Sequence, residues 1–441
     1  MESHANSVED VLVDGLSFKL KNSAKYVTDR RSVTFHPSGS NVYKTSSGTK
    51  VLKIQLTGDS WLVPDSVRLM FNLKNESADA AKRLRTLSGP WSFWRRMRVL
   101  CGGQVVEDFD YARTSEMLCQ LHSVDTRDND DVEGFGYRYD DAANSGAAST
   151  GSLPGIPGGE SRRVSFKLQS GLLNQSKWLP IRYAPLTLEL ELVNSSTDPI
   201  VAPDGSTFTT ANTSTEWAIE DCQLKADLCA LDNSVDNQIA DHLLSGKALP
   251  INFQTFISQS QVVSGQSLSV NVSRAVTRLS SIFVSFNGAI ANEVRAKAFN
   301  TFFHPMANAD AAAYDPSFEL EYQIQVGSKL FPEYPVTSLA EAFAALRKAL
   351  SEANGSHYHA LSIKAPRYQK DKFVIAVQTS KLLAAGFTGI NTRSGDLMTI
   401  KAKAVGGGSF NPSTHMPTEM HVVLESDQIL EIRDVGVSVF D

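Results

Sequence analysis

The chain has 441 residues, a formal net charge of −6, 42% apolar residues and 20% charged residues. Because single hydrophobic cores stop growing at about 250–300 residues, this length predicts two domains, and the composition excludes global disorder. The acidic balance excludes a protein that coats nucleic acid over its whole surface. The four cysteines include no CxxC pair and lie among apolar residues, so we expect buried thiols in a reducing compartment.

The sequence carries no feature that predicts secretion or membrane insertion. The opening segment MESHANSVEDVL has acids where a signal peptide needs bases, and it lacks an apolar core. No uninterrupted apolar run approaches the ~20 residues of a transmembrane segment. We therefore interpret the N-x-S/T triplets at Asn75, Asn194 and Asn271 as chance matches to the glycosylation signal.

In the first half of the chain, apolar and polar residues alternate in four segments, which predicts half-buried strands of antiparallel sheets. After the second of these segments, TSEMLCQL predicts a short helix with Met117, Leu118 and Leu121 on one stripe. The polar, glycine-rich stretch 125–162 cannot pack as a core, and we expect an exposed excursion there. The inward-facing residues of the four strands are Leu52, Ile54 and Leu56; Val67, Leu69, Phe71 and Leu73; Val164, Phe166 and Leu168; and Leu186, Leu188, Leu190 and Leu192.

The second half follows a helix pattern, SVDNQIADHLLSG, which we expect to connect the halves. Its clearest helix is SLAEAFAALRKAL, in which Ser338 caps the start and Glu341 completes a capping box. Phe343 is predicted to anchor this helix, so Phe343→Ala would cost about 3–5 kcal/mol if that site is buried. The helix stripe is Leu339, Ala342, Phe343, Leu346 and Leu350, and the strands present Leu268, Val270 and Val272; Ile282, Val284 and Phe286; Met398, Ile400, Ala402 and Ala404; and Val435, Val437 and Val439.

Three features occur twice, in the same order and about half the chain apart. They are a strand that ends in asparagine, a glycine turn that leads through an acidic, aromatic segment to a helix, and a late strand. Weak identity in matched order predicts a duplicated unit. The pairs are VRLMFNLKN and SIFVSFNG, GQVVEDFDYARTSEMLCQL and GSKLFPEYPVTSLAEAFAALRKAL, and TEWAIEDCQLKADL and TEMHVVLESDQILEI.

Strands outnumber helices, and the sequence lacks the regular alternation of strand and helix that would indicate a parallel sheet. The predicted fold class is therefore all-β, with two antiparallel β-sandwiches in tandem and short helices in the loops. We predict four parts: an N-terminal arm and first strand region over 1–45, a first sandwich over 46–233, a linker over 234–248 and a second sandwich over 249–441.

Three stretches carry a resemblance to a known family: the run from Tyr26 to Asn75, the segment WSFWRRMRVLCGGQVVEDF, and GSKLFPEYPVTSLAEAFAALRKAL. The sequence resembles the major capsid proteins of polinton-like viruses and related small double-stranded DNA viruses. The likeness runs over most of the chain and is least in the loop after Asp125. Its motifs are a pattern of turns and strands, without a catalytic signature. The resemblance implies a double jelly roll, with two eight-stranded sandwiches side by side.

The resemblance also implies a structural major capsid protein. Three chains would form a homotrimer of nearly hexagonal outline, and such trimers would tile an icosahedral virion shell assembled inside the host cell. Further partners would be penton or vertex and minor capsid proteins. The segment before Tyr26 would be an arm that contacts a neighbouring protein, with packaged nucleic acid as the weaker alternative. The residues Lys19, Lys21, Lys25, Arg30 and Arg31 make this part of the chain locally basic, and an ordinary solvated charge cluster is the simpler interpretation of them.

Two alternative functions stay open: a glycan- or receptor-binding tandem β-sandwich protein, and a minor or vertex capsid protein. Aromatic loop residues at Phe135, Tyr137 and Tyr139 would favour the first. An enzyme would need a metal held by His357 and His359, yet no carboxylate follows within five residues. Since nucleophile elbows, HExxH motifs and Walker loops are absent from the sequence, we predict no enzyme, no cofactor, and no catalytic, cofactor-binding or metal site.

Three other clusters have simpler interpretations. The acidic cluster Asp125, Asp128, Asp130, Asp131 and Glu133 lacks the spacing of an EF-hand calcium loop, so we expect a solvated loop. The glycines 406–408 precede Ser409 and Phe410 rather than a phosphate-binding helix and predict a strand connection. In the last cluster, arginines alternate with aromatic residues. We expect this cluster at a subunit interface rather than in contact with nucleic acid. Its members are Trp91, Phe93, Trp94, Arg95, Arg96 and Arg98.

Overall fold

The computed structural model of the protein shows a strand-rich chain with a few helices between the strands. It describes residues 26–86, 88–120, 134, 155–200, 210–288, 302, 304–306, 317, 319–354, 363, 365–370, 372–380, 388–393, 397–406 and 417–441.

The strands of the first half are β1 (Val27–Phe35), β2 (Val42–Tyr43), β3 (Val51–Leu56), β4 (Trp61–Asn75), β5 (Arg83–Leu84), β6 (Trp94–Cys101), β7 (Gln104–Asp110), β8 (Ile156–Pro157), β9 (Ser161–Lys167), β10 (Leu186–Leu192) and β11 (Trp217–Leu231). Those of the second half are β12 (Leu249–Val262), β13 (Ser267–Val272), β14 (Leu279–Gly288), β15 (Glu319–Val326), β16 (Lys329–Val336), β17 (Val374–Gln378), β18 (Met398–Val405), β19 (Pro417–Arg433) and β20 (Gly436–Phe440). The helices are α1 (Tyr111–Gln120), α2 (Gly171–Asn174), α3 (Asn233–Leu244), α4 (Leu339–Asn354) and α5 (Ala365–Lys370), with a 3-10 turn at Pro90–Phe93.

The two halves have the same strand order. In the first half, one sheet has the order β1-β11-β4-β9 and the other β3-β10-β6-β7. In the second half, the orders are β12-β19-β14-β17 and β13-β18-β15-β16. If the eight principal strands of each half are numbered along the chain, both halves read 1-8-3-6 and 2-7-4-5. This is the order of a jelly roll, so the prediction of two tandem eight-stranded sandwiches is confirmed.

The three sequence echoes occupy equivalent places in the two jelly rolls. β4 and β14 are the third strands, and β11 and β19 are the eighth strands. The turn between the fourth and fifth strands holds Gly103 at φ 88° in the first half and Gly327 at φ 59° in the second. Glycine suits both turns because a side chain strains the left-handed backbone. Weak identity in matched order therefore reflects one topology used twice.

The predicted alternation places apolar side chains in the core. β10 buries Leu186, Leu188, Leu190 and Leu192 between half-buried polar residues, as a strand with one face on the core must. The prediction fails at Val435, which is 94% exposed in the turn before β20, although Val437 and Val439 pack partly against the core. The alternation in the sequence begins before the first residue of β20, so period alone places Val435 in the strand when it lies in the turn.

Helix α4 begins as predicted, with a different capping partner. The Ser338 hydroxyl accepts a hydrogen bond from the Glu341 amide at 3.2 Å, as in a capping box. The Glu341 carboxylate, however, accepts a hydrogen bond from the Thr337 amide at 2.9 Å rather than from the amide of Ser338. Leu339, Ala342, Leu346 and Leu350 are buried as expected. Phe343 is only half-buried, and its ring packs edge-on against Tyr368 with centroids 5.1 Å apart.

Alternate connections between the principal strands of each sandwich share one end, because consecutive strands run in opposite directions. We call the end that follows the third and fifth strands the loop end. In the first sandwich it carries connections 76–93, 111–160 and 193–216, whereas the opposite end carries the short turns 57–60 and 102–103 and the connection 168–185, which holds α2. In the second sandwich the connection holding α4 and α5 leaves from the same end of the strands.

Three of the cysteines, Cys101, Cys222 and Cys229, are buried free thiols, as expected; the side chain of Cys119 lies outside the described residues. Burial raises the pKa of Cys101 and of Cys222 to about 12, which keeps both as inert thiols. None of the helices in the described ranges has the length and apolar content needed to cross a membrane.

Candidate functional site

Several residues singled out in the sequence lie outside the described residues. These are the basic residues Lys19, Lys21 and Lys25, the acidic cluster 125–133, the loop aromatics Phe135, Tyr137 and Tyr139, and the pair His357 and His359. The basic residues Arg30 and Arg31 are described and lie in β1. Of the glycine triplet 406–408, only Gly406 is described, directly after β18. Across the described ranges, no group of three or more His, Cys, Asp or Glu side chains could hold a metal ion.

The aromatic and basic cluster is part of the first sandwich, so the predicted subunit interface is wrong for its aromatic residues. Trp91, Phe93 and Trp94 are buried in the core. Phe93 packs edge-on against Trp217 at 4.8 Å, and Trp94 packs edge-on against Phe71 at 6.0 Å. The 3-10 turn that ends at Phe93 directs these rings inward, a feature that composition does not reveal.

The arginines of this cluster have partners within the chain. Arg96 forms a two-pronged ion pair with Asp108 on the adjacent strand, at 2.6 and 2.5 Å. Arg98 lies 3.5 Å from Asp108 and 3.5 Å from Glu189, and Arg95 donates to Asn194 at 3.1 Å. The pairs of Arg96 and Arg98 are cross-strand pairs on the outer face of a sheet, and each of these surface contacts contributes little to stability by itself.

The two sandwiches meet where β7 lies beside β12. Both are edge strands, and they contact each other through side chains rather than through a backbone ladder. Phe109 packs edge-on against Phe256 with centroids 6.0 Å apart. The Ser258 hydroxyl accepts the Asp110 amide at 2.8 Å. We call this contact the sandwich junction; its polar members are Glu107, Asp110, Arg113, Ser170, Gly171, Thr255, Ser258, Ser260 and Glu419.

Glu107 is the central acid of the sandwich junction and is only 2% exposed. Its carboxylate accepts from the Gly171 amide at 2.8 Å, from the Thr255 hydroxyl at 3.1 Å and from the Ser170 hydroxyl. Burial raises the pKa of Glu107 above its ordinary value, although these hydrogen bonds oppose the rise. One carboxylate therefore joins β7, α2 and the second sandwich.

α2 approaches β12 so closely that only glycine fits at its first residue. A Cβ atom on Gly171 would lie 1.4 Å from the backbone oxygen of Gln254. The same backbone donates its amide to Glu107. Backbone thus packs on backbone at this point, which fixes the spacing of the two sandwiches.

At the loop end, Arg113 of α1 reaches into the second sandwich. Its guanidinium donates to the Glu419 carboxylate at 2.9 Å and to the Ser260 hydroxyl at 3.3 Å. Because Ser260 lies near the end of β12 and Glu419 near the start of β19, this contact places the loop ends of the two sandwiches on the same side of the chain. Ser260 also lies 2.9 Å from the Nδ1 atom of buried His421.

Within the first sandwich, the connections at the loop end are tied together by Asn75. Its amide nitrogen donates to the backbone oxygens of Lys82 and Ile156, at 3.0 and 2.9 Å. Its amide oxygen accepts from the Ser214 hydroxyl at 2.7 Å and the Ser77 amide at 3.2 Å. These partners lie in three different connections. Asn75 is fully buried, so its N-x-S triplet is no glycosylation site in the folded chain.

Sequence reasoning missed the residues that organise these contacts. Asn75 is visible only as a glycosylation triplet, and Glu107 only as one acid within an acidic, aromatic segment. The sequence does hold a signal for Glu107, because this acid occupies a position of β7 that is buried in the structure, where an apolar residue would be expected. No local signal marks Arg113, because its partner lies in the other half of the chain.

Two sandwiches of identical strand order, joined edge to edge in one chain, define a double jelly roll. Solved structures share this fold. The chain is similar to PBCV-1 VP54, solved and fitted into a reconstruction of the virophage Sputnik, with a TM-score of 0.62 and 12% identity over 96% of this chain and 98% of that one. It is also similar to a chain of the Sputnik virophage, with a TM-score of 0.60 and 10% identity over 97% and 91%.

The Faustovirus major capsid protein is similar as well, with a TM-score of 0.57 and 8% identity over 97% of this chain and 94% of that one. No family model matches the sequence, and no curated protein matches it. At these identities the likeness establishes the fold, and it confirms the double jelly roll that the sequence resemblance implies.

Proposed function

We propose that the chain is the major capsid subunit of an icosahedral DNA virus and that it acts in the virion shell. The observation that carries this proposal is the use of one jelly-roll topology twice in one chain. Three such chains around a threefold axis present six similar sandwiches. A closed trimer with a nearly hexagonal outline can then occupy the sixfold-like positions of a shell.

The fold likeness supports the proposal, because the solved structures with this fold include a protein named as a major capsid protein. The alternative of a vertex protein is less favoured, since sandwiches that come in pairs do not match a fivefold position. Assembly needs buried surface and complementary shape rather than reactive groups. We therefore assign no catalytic, cofactor-binding or metal residue to the chain.

We further propose that the chain divides at α3, with the first sandwich before it and the second after it. β1 belongs with the first sandwich in this division, because it pairs with β11 from Val27 to Phe35. The residues before β1 form the proposed arm, which would contact a neighbouring capsid protein. Penton, minor capsid and trimer–trimer contacts are further proposed partners.

The test is the assembly state of the purified full-length chain. Light scattering coupled to size exclusion should give a mass three times that of the chain, and negative-stain images should show particles of hexagonal outline. Obligate oligomers bury roughly 2,000 Å² or more, so the trimer should persist on dilution to nanomolar concentration. A chain that stays monomeric at every concentration, or that binds a glycan array as a monomer, would contradict the proposal.

A further inference from the structure

We propose that, in the trimer, β16 of one copy packs beside β1 of the next copy and so repeats the contact that β7 and β12 make within the chain. This inference rests on the proposed function and names the surfaces by which the trimer closes. Its occupant is a second copy of this chain.

The argument begins with strand equivalence. β7 and β16 are the fifth strands of their jelly rolls, and β12 and β1 are the first strands. Among the strands that the structure describes, each of the four is the edge strand of its sheet and is hydrogen-bonded on one side only. Within one chain, the fifth strand of the first sandwich contacts the first strand of the second sandwich. The fifth strand of the second sandwich and the first strand of the first sandwich have no such contact in the part of the chain that the structure describes.

The burial of these strands differs accordingly. β7 buries Val106, Glu107 and Phe109. Its equivalent β16 buries only Val336, and Leu330 and Tyr334 are 41% and 79% exposed. β1 has no buried residue at all along its nine residues, whereas β12 buries four of its side chains. Large exposed side chains on an unpaired sheet edge are typical of a surface that a partner covers.

The geometry of the existing contact predicts how the second one forms. In the sandwich junction, Glu107 contacts Thr255 and Asp110 contacts Ser258, so the two strands run in the same direction and meet through side chains. β16 carries Pro332 and Pro335, which remove two backbone donors from its edge. A backbone ladder across this edge is thereby disfavoured, and a side-chain contact like that of β7 and β12 remains.

Charges on the two free strands are complementary in this arrangement. Along β16, Lys329 precedes Glu333; along β1, Asp29 precedes Arg31. Strands that run in the same direction keep this order, and the proposed contact brings Lys329 toward Asp29 and Glu333 toward Arg31. The spacings differ by about 7 Å, which the long Lys and Arg side chains can cover.

None of these four side chains forms a hydrogen bond or ion pair with another part of the chain that the structure describes. Their neighbour Arg30, by contrast, is paired with Asp227 at 2.6 Å. All four are exposed and available to a second copy. A heterologous contact of this kind closes into a ring when its rotation divides a full turn. In the trimer, three sandwich contacts within chains alternate with three between chains, so six contacts surround the threefold axis.

Charge reversal tests the interface. Glu333→Arg and Arg31→Glu should each weaken the trimer at least tenfold in its dissociation constant, measured by mass photometry across a dilution series. The double variant restores opposite charges with exchanged positions and should recover most of the affinity. Lys403→Glu is the matched control, since Lys403 is exposed on β18 and pairs with Glu321 of its own chain at 2.9 Å. It should leave the trimer unchanged.

A second measurement does not depend on the strength of the pair. The double variant Arg31→Cys/Glu333→Cys should form covalently linked dimers and trimers with a short bismaleimide cross-linker, which spans more than a disulfide can, and Lys403→Cys/Glu333→Cys should not. If the wild type is a trimer and neither reversal nor cross-linking shows an effect, this interface is wrong while the capsid proposal stands. A wild-type chain that never trimerises would overturn both.

Discussion

The Arg113 guanidinium lies 2.9 Å from the Glu419 carboxylate across 306 residues of sequence, and it joins a helix of the first sandwich to a strand of the second. The arginine side chain is 5% exposed and the glutamate side chain 34% exposed. The pair is therefore desolvated on one side. It is the charged contact of the sandwich junction at the loop end.

Arg113→Met should destabilise the chain by about 2–4 kcal/mol, measured by chemical denaturation. Loss of one partner of a fully buried pair costs about 3–5 kcal/mol, and the partial exposure of Glu419 reduces this value. Arg96→Met is the control, because Arg96 and Asp108 form an exposed pair, and it should change stability by less than about 1 kcal/mol. Equal effects of the two substitutions would show that Arg113 does not hold the sandwiches together.

The same pair predicts a dependence on pH. Burial by itself would raise the pKa of Glu419, but the hydrogen bond and charge of Arg113, together with hydrogen bonds from Ser260 and Asn287, outweigh burial and lower it. A carboxyl with a lowered pKa contributes stability above its unfolded pKa and loses it as the pH falls through the folded pKa. The stability difference between wild type and Arg113→Met should therefore be largest at neutral pH and shrink in acid. A difference that grows in acid would contradict this assignment.

Gly171→Ala should disrupt the sandwich junction, because the added methyl group would meet the backbone oxygen of Gln254. We expect a loss of at least about 2–3 kcal/mol in the free energy of unfolding, as for overpacking that backbone must relieve. Gly48→Ala is the control, since nothing lies within 4 Å of its added Cβ, and it should be nearly neutral. Similar melting temperatures for the two variants would show that α2 can retreat from β12 at no cost.

Asn75→Asp replaces the amide donor that faces the backbone oxygens of Lys82 and Ile156 with a second acceptor. The shape is kept while two buried carbonyls lose their partner, so we expect a loss of about 2–4 kcal/mol. Hydrogen exchange should rise first in the connections 76–93 and 193–216. Asn271→Asp is exposed and still accepts from Thr399, so it serves as the control. Unchanged exchange in Asn75→Asp would mean that the connections hold without it.

Helix α4 should be anchored by Leu346 rather than by Phe343. Leu346 is fully buried, so Leu346→Ala should cost about 2–5 kcal/mol. Phe343 is half-buried against Tyr368, so Phe343→Ala should cost about 1–2 kcal/mol, below the value expected from the sequence. Thermal unfolding of both variants gives the ranking, and the reverse order would show that the ring of Phe343 bears more of the packing than its exposure indicates.

The sandwich strands could be predicted because a period of two has one physical meaning on a half-buried sheet. Leu186, Leu188, Leu190 and Leu192 illustrate it, since every second side chain faces the core. Strand order could not be read from alternation, yet the matched echoes and the family resemblance implied two copies of one topology. The glycine turns at Gly103 and Gly327 are the strongest local evidence, because left-handed backbone selects glycine in both.

The junction residues could not be predicted, since their partners are distant in sequence. Glu107 meets Thr255, and Arg113 meets Glu419, only after both sandwiches have formed. Trp91 and Trp94 were misplaced at an interface because aromatic residues beside arginines are typical both of interfaces and of strand ends that enter a core. The direction of a single turn decides between these cases.

The shared loop end has a practical consequence for engineering. A peptide epitope or affinity tag inserted between α1 and β8 would emerge on one surface of every copy, far from the tight hairpins that set strand order. An insertion at 102–103 would instead separate β6 from β7 and press against Val437, whose side chain already lies within 2.7 Å of where a Cβ of Gly102 would sit. The chain thus offers one permissive surface for display, whereas the turn at 102–103 tolerates no added length.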